Sequence, residues 1–323
     1  MPQPRSNERQ TPPAGVGTDR MEHLLAGFEQ MCRIRAFEEE VARAYEDKVL
    51  PGLLHLSIGS EAAAVGVIGG LTSADRVYSS HRPHGHFLAA GVSMEALFAE
   101  LAGRSTGLCG GFGGSMHLMD DRAVMATGIV GGTLPIALGH SLALPAEAVA
   151  VAFFGDGAVQ TGIFHETLNL AALWDAPVLF ACENNGWAEF TAREEHTRVG
   201  SVAAYGDLYG MRSLSVDGSD LEAIESAAAE LVGGARRGAG PAILEMHVSR
   251  LRPHYEGDLR RAARGRDPVE TLSRRLVELG QTQAHLDAII ARQRAEARAA
   301  LARALQAPLA SDPDRHVFAG AFP

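Results

Sequence analysis

The chain has 323 residues, a formal net charge of −10, and 46% hydrophobic against 21% charged residues. Those proportions fit a globular protein with a sizeable core, and the acidic balance excludes a nucleic-acid partner unless basic residues concentrate in one patch. The one Arg-dense run, "RRAARGR" (Arg260 to Arg266), is short and lies beside acids, so it reads as a solvated loop. Cys32, Cys109 and Cys182 are far apart and odd in number. They exclude a disulfide framework and zinc spacing and fit a reduced cytoplasmic compartment. No apolar run reaches membrane-spanning length.

In chain order, residues 1–20 are polar and Pro-rich, without an apolar signal core, and are expected to form a disordered tail. From about Asp19 to Lys48, Leu24, Leu25, Phe28, Met31, Cys32, Ile34, Phe37 and Val41 recur at helical spacing, and Pro51–Gly52 end the run. A second helix is expected from near Ser60, with Glu61 in its first turn. The pattern breaks at "VYSSHRPHGHF" and resumes in "SMEALFAELAG", a short helix with Ser93 at its N-cap. The Gly-rich "GRSTGLCGGFGGSMHLMD" is too long for a simple turn, and such loops inside compact domains are functional or disordered.

The centre alternates strand and helix. "AVAVAFF" and "PVLFAC" are continuous apolar runs of the kind buried on both faces of a parallel sheet, with the helical "GIFHETLNLAALW" between them. "LSVDGSD", the helix "LEAIESAAAELVGGARR" and the strand "PAILEMHVS" repeat the order. The pattern predicts an α/β fold, a doubly wound, mostly parallel sheet with helices on both faces, over residues 21–267. Residues 268–323 are expected to add a peripheral helical C-terminal extension.

Asp156 closes the first apolar run and Asn184–Asn185 close the next. As ends of neighbouring parallel strands they share one sheet edge, where ligands of such folds bind. Gly155 and Gly157 admit close backbone approach, and a helix starting just after Gly157 would turn free N–H groups towards an anion. One carboxylate, one amide oxygen and a backbone carbonyl suit Mg²⁺ carrying a diphosphate. Either motif alone reads as a turn or cap; together, across a crossover helix, they point to a shared site. A dinucleotide site is disfavoured, because no G-x-G-x-x-G follows the first strand and "GGFGG" follows no clear strand. His117, His140, His165, His247 and Glu166 read as structural.

"GDG" followed by "NN" at this spacing resembles the thiamine-diphosphate signature. With "HLSIGSEAAAVGV", "SSHRPHGHFLAAGV", "GGFGGSMHL", "TGIVGG", "FFGDGA", "NLAALWDAPVLFACENNGWAE" and "RPHYEGD", the stretch from about Leu24 to Leu276 is similar to the alpha subunit of the decarboxylating component of 2-oxoacid dehydrogenase complexes. Acetoin and pyruvate dehydrogenase alpha subunits are its nearest types. The resemblance implies a thiamine-diphosphate-binding fold and roles for the matching positions. Asp156, Asn185 and the carbonyl of Trp187 would hold Mg²⁺; Gly155, Gly157 and Ala158 would meet the diphosphate. His81 and Arg82 stand in the place of a Tyr-Arg pair, with Arg82 on the diphosphate. Gly128, Ile129 and Val130 would line the aminopyrimidine and the bend of the cofactor. His254 would sit near the diphosphate and the reacting centre, with His55 and His84 on the substrate side as the other catalytic candidates.

The resemblance also implies what the chain lacks. The carboxylic acid that activates this cofactor belongs to another domain type and matches nothing here. A separate beta subunit is therefore expected, in an α2β2 heterotetramer, with transfer of the acyl unit to a lipoyl-bearing acyltransferase. The stretch "GDLRRAARGRDP" is shorter than its counterpart in relatives and puts that acceptor in question. A biosynthetic relative moving a two-carbon ketol unit from a ketose phosphate to a lipoyl or carrier-protein thiol is thus the alternative to a 2-oxoacid or acetoin enzyme. A non-catalytic regulatory homologue is opposed by the intact Asp156, Asn185 and Arg82.

Overall fold

Long apolar runs bounded by turn residues become the strands of this chain, and runs with one apolar face become its helices. The computed structural model describes residues 16–120, 124–258 and 265–311. The N-terminal half holds α1 (Val16–Glu46), α2 (Glu61–Ile68), β1 (Arg76–Ser79), α3 (His84–Ala89), α4 (Met94–Leu101), β2 (Met119–Asp120), β3 (Val124–Ala126) and α5 (Thr133–Ser141). Next come β4 (Ala150–Gly155), a 3₁₀ turn (Asp156–Gln160), α6 (Gly162–Leu173), β5 (Val178–Asn184), the short β6 (Trp187–Ala188) and β7 (Thr191–Ala192), and α7 (Arg193–His196). The chain continues through α8 (Ala204–Tyr209), β8 (Arg212–Asp217), α9 (Leu221–Arg236), β9 (Ala242–His247), α10 (Pro268–Glu278) and α11 (Gln283–Ala304).

Seven strands form one sheet in the order β2-β3-β1-β4-β5-β9-β8, parallel except for the β2–β3 pair. Side chains alternate across it. Val151 and Phe153 of β4 enter a core shared with α1, α2, α4, α9, α10 and α11, whereas Ala152 and Phe154 enter a second core under α5, α6 and α8. Burial on both faces explains why these strands read as unbroken apolar runs. The expected doubly wound sheet is present. Its order also locates a crevice: from β1 the chain turns to β2 and β3 on one side, and from β4 to β5 on the other. Ligands bind at such a reversal, beyond the carboxyl ends of the strands.

Four features differ from the sequence reading. The first helix begins at Val16, so the last residues of the expected tail are helical; residues 1–15 lie outside the described residues. Strand β1 lies in the stretch where only a broken pattern was legible. No α-helix starts just after Gly157. A 3₁₀ turn intervenes, because the Thr161 side chain caps α6 by accepting from the N–H of Phe164. The C-terminal helices are not peripheral: Leu272, Leu276, Leu286, Ile289 and Leu301 are buried in the same core as α1. Asp267 caps α10 through the N–H of Val269 and pairs with both terminal nitrogens of Arg35 on α1, at 2.9 and 3.0 Å. Among the described residues no helix is long and apolar enough to cross a membrane.

Those five buried side chains together contribute about 7–15 kcal/mol, comparable to the whole stability of a folded domain. Deleting residues 268–323 is expected to abolish cooperative unfolding and expose apolar surface to a hydrophobic dye. A truncated chain that melts cooperatively within a few degrees of the full chain would show the helices to be dispensable.

Candidate active site

The crevice between β1 and β4 opens into a cleft of about 360 Å³. Its walls come from the turns that follow five strands: Ser80–Arg82 after β1, Gly128–Gly131 after β3, Gly155–Ala158 after β4, Asn185–Glu189 after β5, and Arg250 and His254 after β9. His55 joins them from the α1–α2 connection, which pairs with the loop after β9. The N–H of Leu251 donates to the carbonyl of Ile58, and that of Glu256 to the carbonyl of Leu54. This approach needs Gly59, where a Cβ would lie 1.8 Å from the carbonyl oxygen of Ser249. Of the sequence-predicted residues, His55, His81, Arg82, Gly128, Ile129, Val130, Gly155, Gly157, Ala158, Asn185, Trp187 and His254 all line this cleft.

Asp156 lies beneath it, 0% exposed. One carboxylate oxygen, Oδ1, accepts from the N–H of Asn185 at 3.2 Å, and the other, Oδ2, has no hydrogen-bond partner. Burial pushes this carboxyl up to about 6, partly offset by the Asn185 N–H and the charge of Arg193. Asn185 Oδ1 accepts from the N–H of Trp187 at 3.0 Å and keeps a second lone pair. Gly157 permits the packing of β6, since its Cβ would come 2.8 Å from that of Ala188; at Gly155 a Cβ would meet nothing, so its absence widens the cleft. An unpartnered buried carboxylate oxygen beside an amide oxygen fits a hard divalent cation such as Mg²⁺.

The other side of the cleft is cationic. Arg82 is buried and is held by carbonyls, Nη1 on Leu56 and Nη2 on His254, both at 2.8 Å. Burial, then the charge of Arg250, push its guanidinium down to about 10. Arg250 donates to the carbonyl of Glu189 at 2.9 Å, stacks over Trp187 and leaves its Nε without a partner. Two arginines on one cleft wall suit an anion with several oxygens. His55, His81 and His254 cluster between them, with ring nitrogens within 4.8 Å of one another. Burial and the neighbouring arginine keep His55 and His81 neutral, His55 falling to about 3. The cluster is compact enough to ligate a metal, but the Arg82 guanidinium, 3.1 Å from His254 Nδ1, disfavours a cation there.

Residues 29–311 match the family model described as the dehydrogenase E1 component. The chain belongs to this family. It is 44% identical over 242 residues to the alpha subunit of an acetoin:2,6-dichlorophenolindophenol oxidoreductase of Bacillus subtilis, covering 73% of each chain. Its counterpart in Cupriavidus necator is 42% identical over the same shares. The pyruvate dehydrogenase E1 component subunit alpha of Zymomonas mobilis is 35% identical over 306 residues, 90% of this chain and 86% of that one.

One expected site residue of this E1 chain is not in the cleft. His84 is fully buried, with Nδ1 3.0 Å from Oε2 of Glu38 and Nε2 2.9 Å from the Ser115 hydroxyl. It lies on the first turn of α3, two residues past Arg82, and faces the interior instead of a substrate. The buried Glu38 also accepts from the N–H and hydroxyl of Ser57. One carboxylate thereby ties together Ser57 and His84, near His55 and Arg82, and His84 extends the tie to Ser115 beside the cleft residue Met116. The Gly-rich loop is organised in the same way: buried Glu100 accepts N–H bonds from Cys109, Gly111, Gly113 and Gly114. His140, His165 and His247 pair with Tyr78, Tyr209 and Ser215, as structural histidines do.

The E1 chain holds two arginines that the sequence reading missed. Arg250 stands four residues before His254 in "SRLRPHY", just outside the motif as quoted. Arg193 opens α7, in a stretch with no motif at all, and its Nη1 lies 3.8 Å from Asp156 Oδ2.

Because burial raises the carboxyl of Asp156 from 3.8 to about 6, the fold favours its protonated form. That contribution to stability is complete below pH 3.8 and lost as pH rises through 6. In metal-free protein, Asp156→Asn is therefore expected to be more stable than wild type at pH 8 by up to ~3 kcal/mol, the gap closing between pH 6 and pH 4. Urea unfolding at the three pH values checks this; a less stable variant at pH 8 would mean that the ionised carboxylate is well satisfied.

Proposed function

We propose that this E1 chain is the metal- and diphosphate-holding half of a thiamine-diphosphate enzyme that acts on acetoin or a 2-oxoacid. The observation that carries the reading is the unpartnered buried oxygen of Asp156, which lies between the cleft-lining Gly155 and Gly157, while Arg82 and Arg250 line the same cleft. Thiamine diphosphate, when bound, supplies a carbanion that adds to a substrate carbonyl and then accepts its electron pair. Asp156, Asn185 and the carbonyl of Trp187 would hold Mg²⁺. Gly157 and Ala158 would leave room for the diphosphate, and Arg82 and Arg250 would neutralise its charge. Ile129 and Val130 present an apolar edge to the thiazolium–pyrimidine bend. The neutral imidazoles of His55 and His81 offer hydrogen bonds without adding positive charge to the site, and His254 stands beside them. His84 acts from behind, through Glu38 and Ser115.

Among the described residues Glu189 is the one carboxylate that lines the cleft, and it stands at the rim with its carbonyl engaged by Arg250. This supports the expectation that a beta subunit completes the site in an α2β2 assembly, with a lipoyl group or another thiol receiving the acyl unit in the cytoplasm. The acetoin enzymes among the similar proteins favour acetoin as the first substrate to test.

Co-expression with a candidate beta subunit, followed by reduction of an artificial acceptor with acetoin, 2-oxoacids and ketose phosphates, tests the donor. Activity with ketose phosphates alone would replace this reading by ketol transfer. Asp156→Ala is expected to lower activity at least about a hundredfold, in line with loss of a metal-held cofactor, while the circular dichroism spectrum is unchanged. Wild-type affinity of that variant for thiamine diphosphate with Mg²⁺ in calorimetry would refute the assignment.

A further inference from the structure

Asp156 and Arg193 each have one end anchored and one end open. Asp156 is anchored through Oδ1 to the N–H of Asn185, and Arg193 through Nη2 to the carbonyl of Val199 at 3.1 Å. Their other ends, Oδ2 and Nη1, face each other at 3.8 Å, and neither makes a hydrogen bond. Asp156 is buried and Arg193 half-buried, with side-chain exposures of 0% and 13%. His196, at the end of the same short helix, also leaves both ring nitrogens unpartnered. A direct guanidinium–carboxylate bond would close to about 2.7–2.9 Å, so the pair is held apart by its anchors.

The separation sets what can bind between them. A bare divalent cation would satisfy Oδ2 but would lie against the positive charge of Arg193. A free anion would satisfy Nη1 but would meet the carboxylate. A cation that already carries anionic oxygens satisfies both ends at once. The proposal rests on Asp156 being the metal ligand, and goes beyond it by giving a role to a residue outside every recognised motif. We propose that Arg193 couples the two parts of the ligand: it opposes a bare divalent cation at Asp156 and donates to the diphosphate when metal and diphosphate arrive together. The site then takes up the metal–diphosphate pair and rejects either part alone, which keeps Asp156 from filling with metal while the cofactor is absent.

The test uses the full-length chain and its Arg193→Gln and Arg193→Lys variants, titrated with Mg²⁺ alone, with inorganic diphosphate in chelator, and with preformed Mg–diphosphate. Binding is read by calorimetry and by the fluorescence of Trp187 at the cleft rim, in a background where Trp174, the other tryptophan, is Phe. Arg193→Gln is expected to bind bare Mg²⁺ at least tenfold more tightly and Mg–diphosphate at least tenfold more weakly. Opposite directions are the signature, since damage to the fold weakens both. Arg193→Lys keeps the charge but not the planar fork. It is expected to return bare Mg²⁺ affinity to wild type and to restore Mg–diphosphate binding only in part. Affinities that move in the same direction, or do not move, overturn the coupling. Wild type that binds Mg–diphosphate, but whose assembly with a beta subunit does not bind Mg–thiamine diphosphate, would overturn the cofactor assignment and leave the coupling standing; wild type that binds neither, alone or in that assembly, overturns both.

Discussion

The site depends on one carboxylate oxygen that the fold leaves unpaired. Several other buried acids are engaged by more than one donor. Glu38 accepts from Ser57 and His84, Glu61 from Arg35 and Gly59, Glu100 from four backbone N–H groups, and Glu245 from Asn184, Ser201 and Ala203. Of the buried side-chain atoms without partners among the described residues, Oδ2 of Asp156 is the one carboxylate oxygen. His55, His81, Arg193 and Arg250 supply most of the others, on or beside the same cleft. Folded chains satisfy their buried polar groups, so orphans gathered in one place mark a ligand site. Here the orphans include both signs of charge, which is why the ligand is read as a metal carrying an anion.

Strand order puts Asp156 there, and satisfied acids hold the rest in position. The turns after β1 and β4 meet because the sheet reverses direction between them. Nothing in that topology fixes the loops bearing His55, Arg82 and Met116. Glu38 holds the first two, by binding Ser57 and His84, and His84 passes the tie on to Ser115 beside Met116, while Glu100 folds the glycine-rich segment that leads there. These carboxylates never reach the cleft, yet they decide its shape. A catalytic role for His84 is displaced by this architecture: with both nitrogens engaged inside the protein, its contribution is to orientation.

How much of this was legible in the sequence follows from how local each signal is. β4 and β5 are long apolar runs ended by Gly155–Asp156 and Asn184–Asn185, so their pairing and the shared edge could be read directly. β1 has four residues, Arg76 to Ser79, between a turn and a helix, too short for any periodicity to declare itself. The 3₁₀ turn after β4 depends on Thr161 capping α6 later than the glycines suggest. The place of α10 and α11 in the main core was hidden, because an Ala- and Arg-rich helix reads as solvated unless its partner, α1, is known. Arg193 and Arg250 are ordinary arginines in sequence. Only folding brings one to Asp156 and the other over Trp187, so their roles are properties of tertiary structure alone.

The remaining asymmetry lies at the cleft mouth. Ile129 and Val130 expose 71% and 55% of their surface, although they sit beside a site whose floor and charged wall are buried. Apolar side chains at a cleft rim gain from being covered, and a bound cofactor covers them only in part. The polar half of the site is thus assembled by this chain's own strands and buried acids, while the apolar half is left open at its surface. The fold therefore sets the buried polar groups of the cleft in place while the cleft stays open at its mouth. Ile129 and Val130 thus mark an apolar edge that a beta subunit, the partner implied for an alpha chain of an E1 component, would cover on assembly.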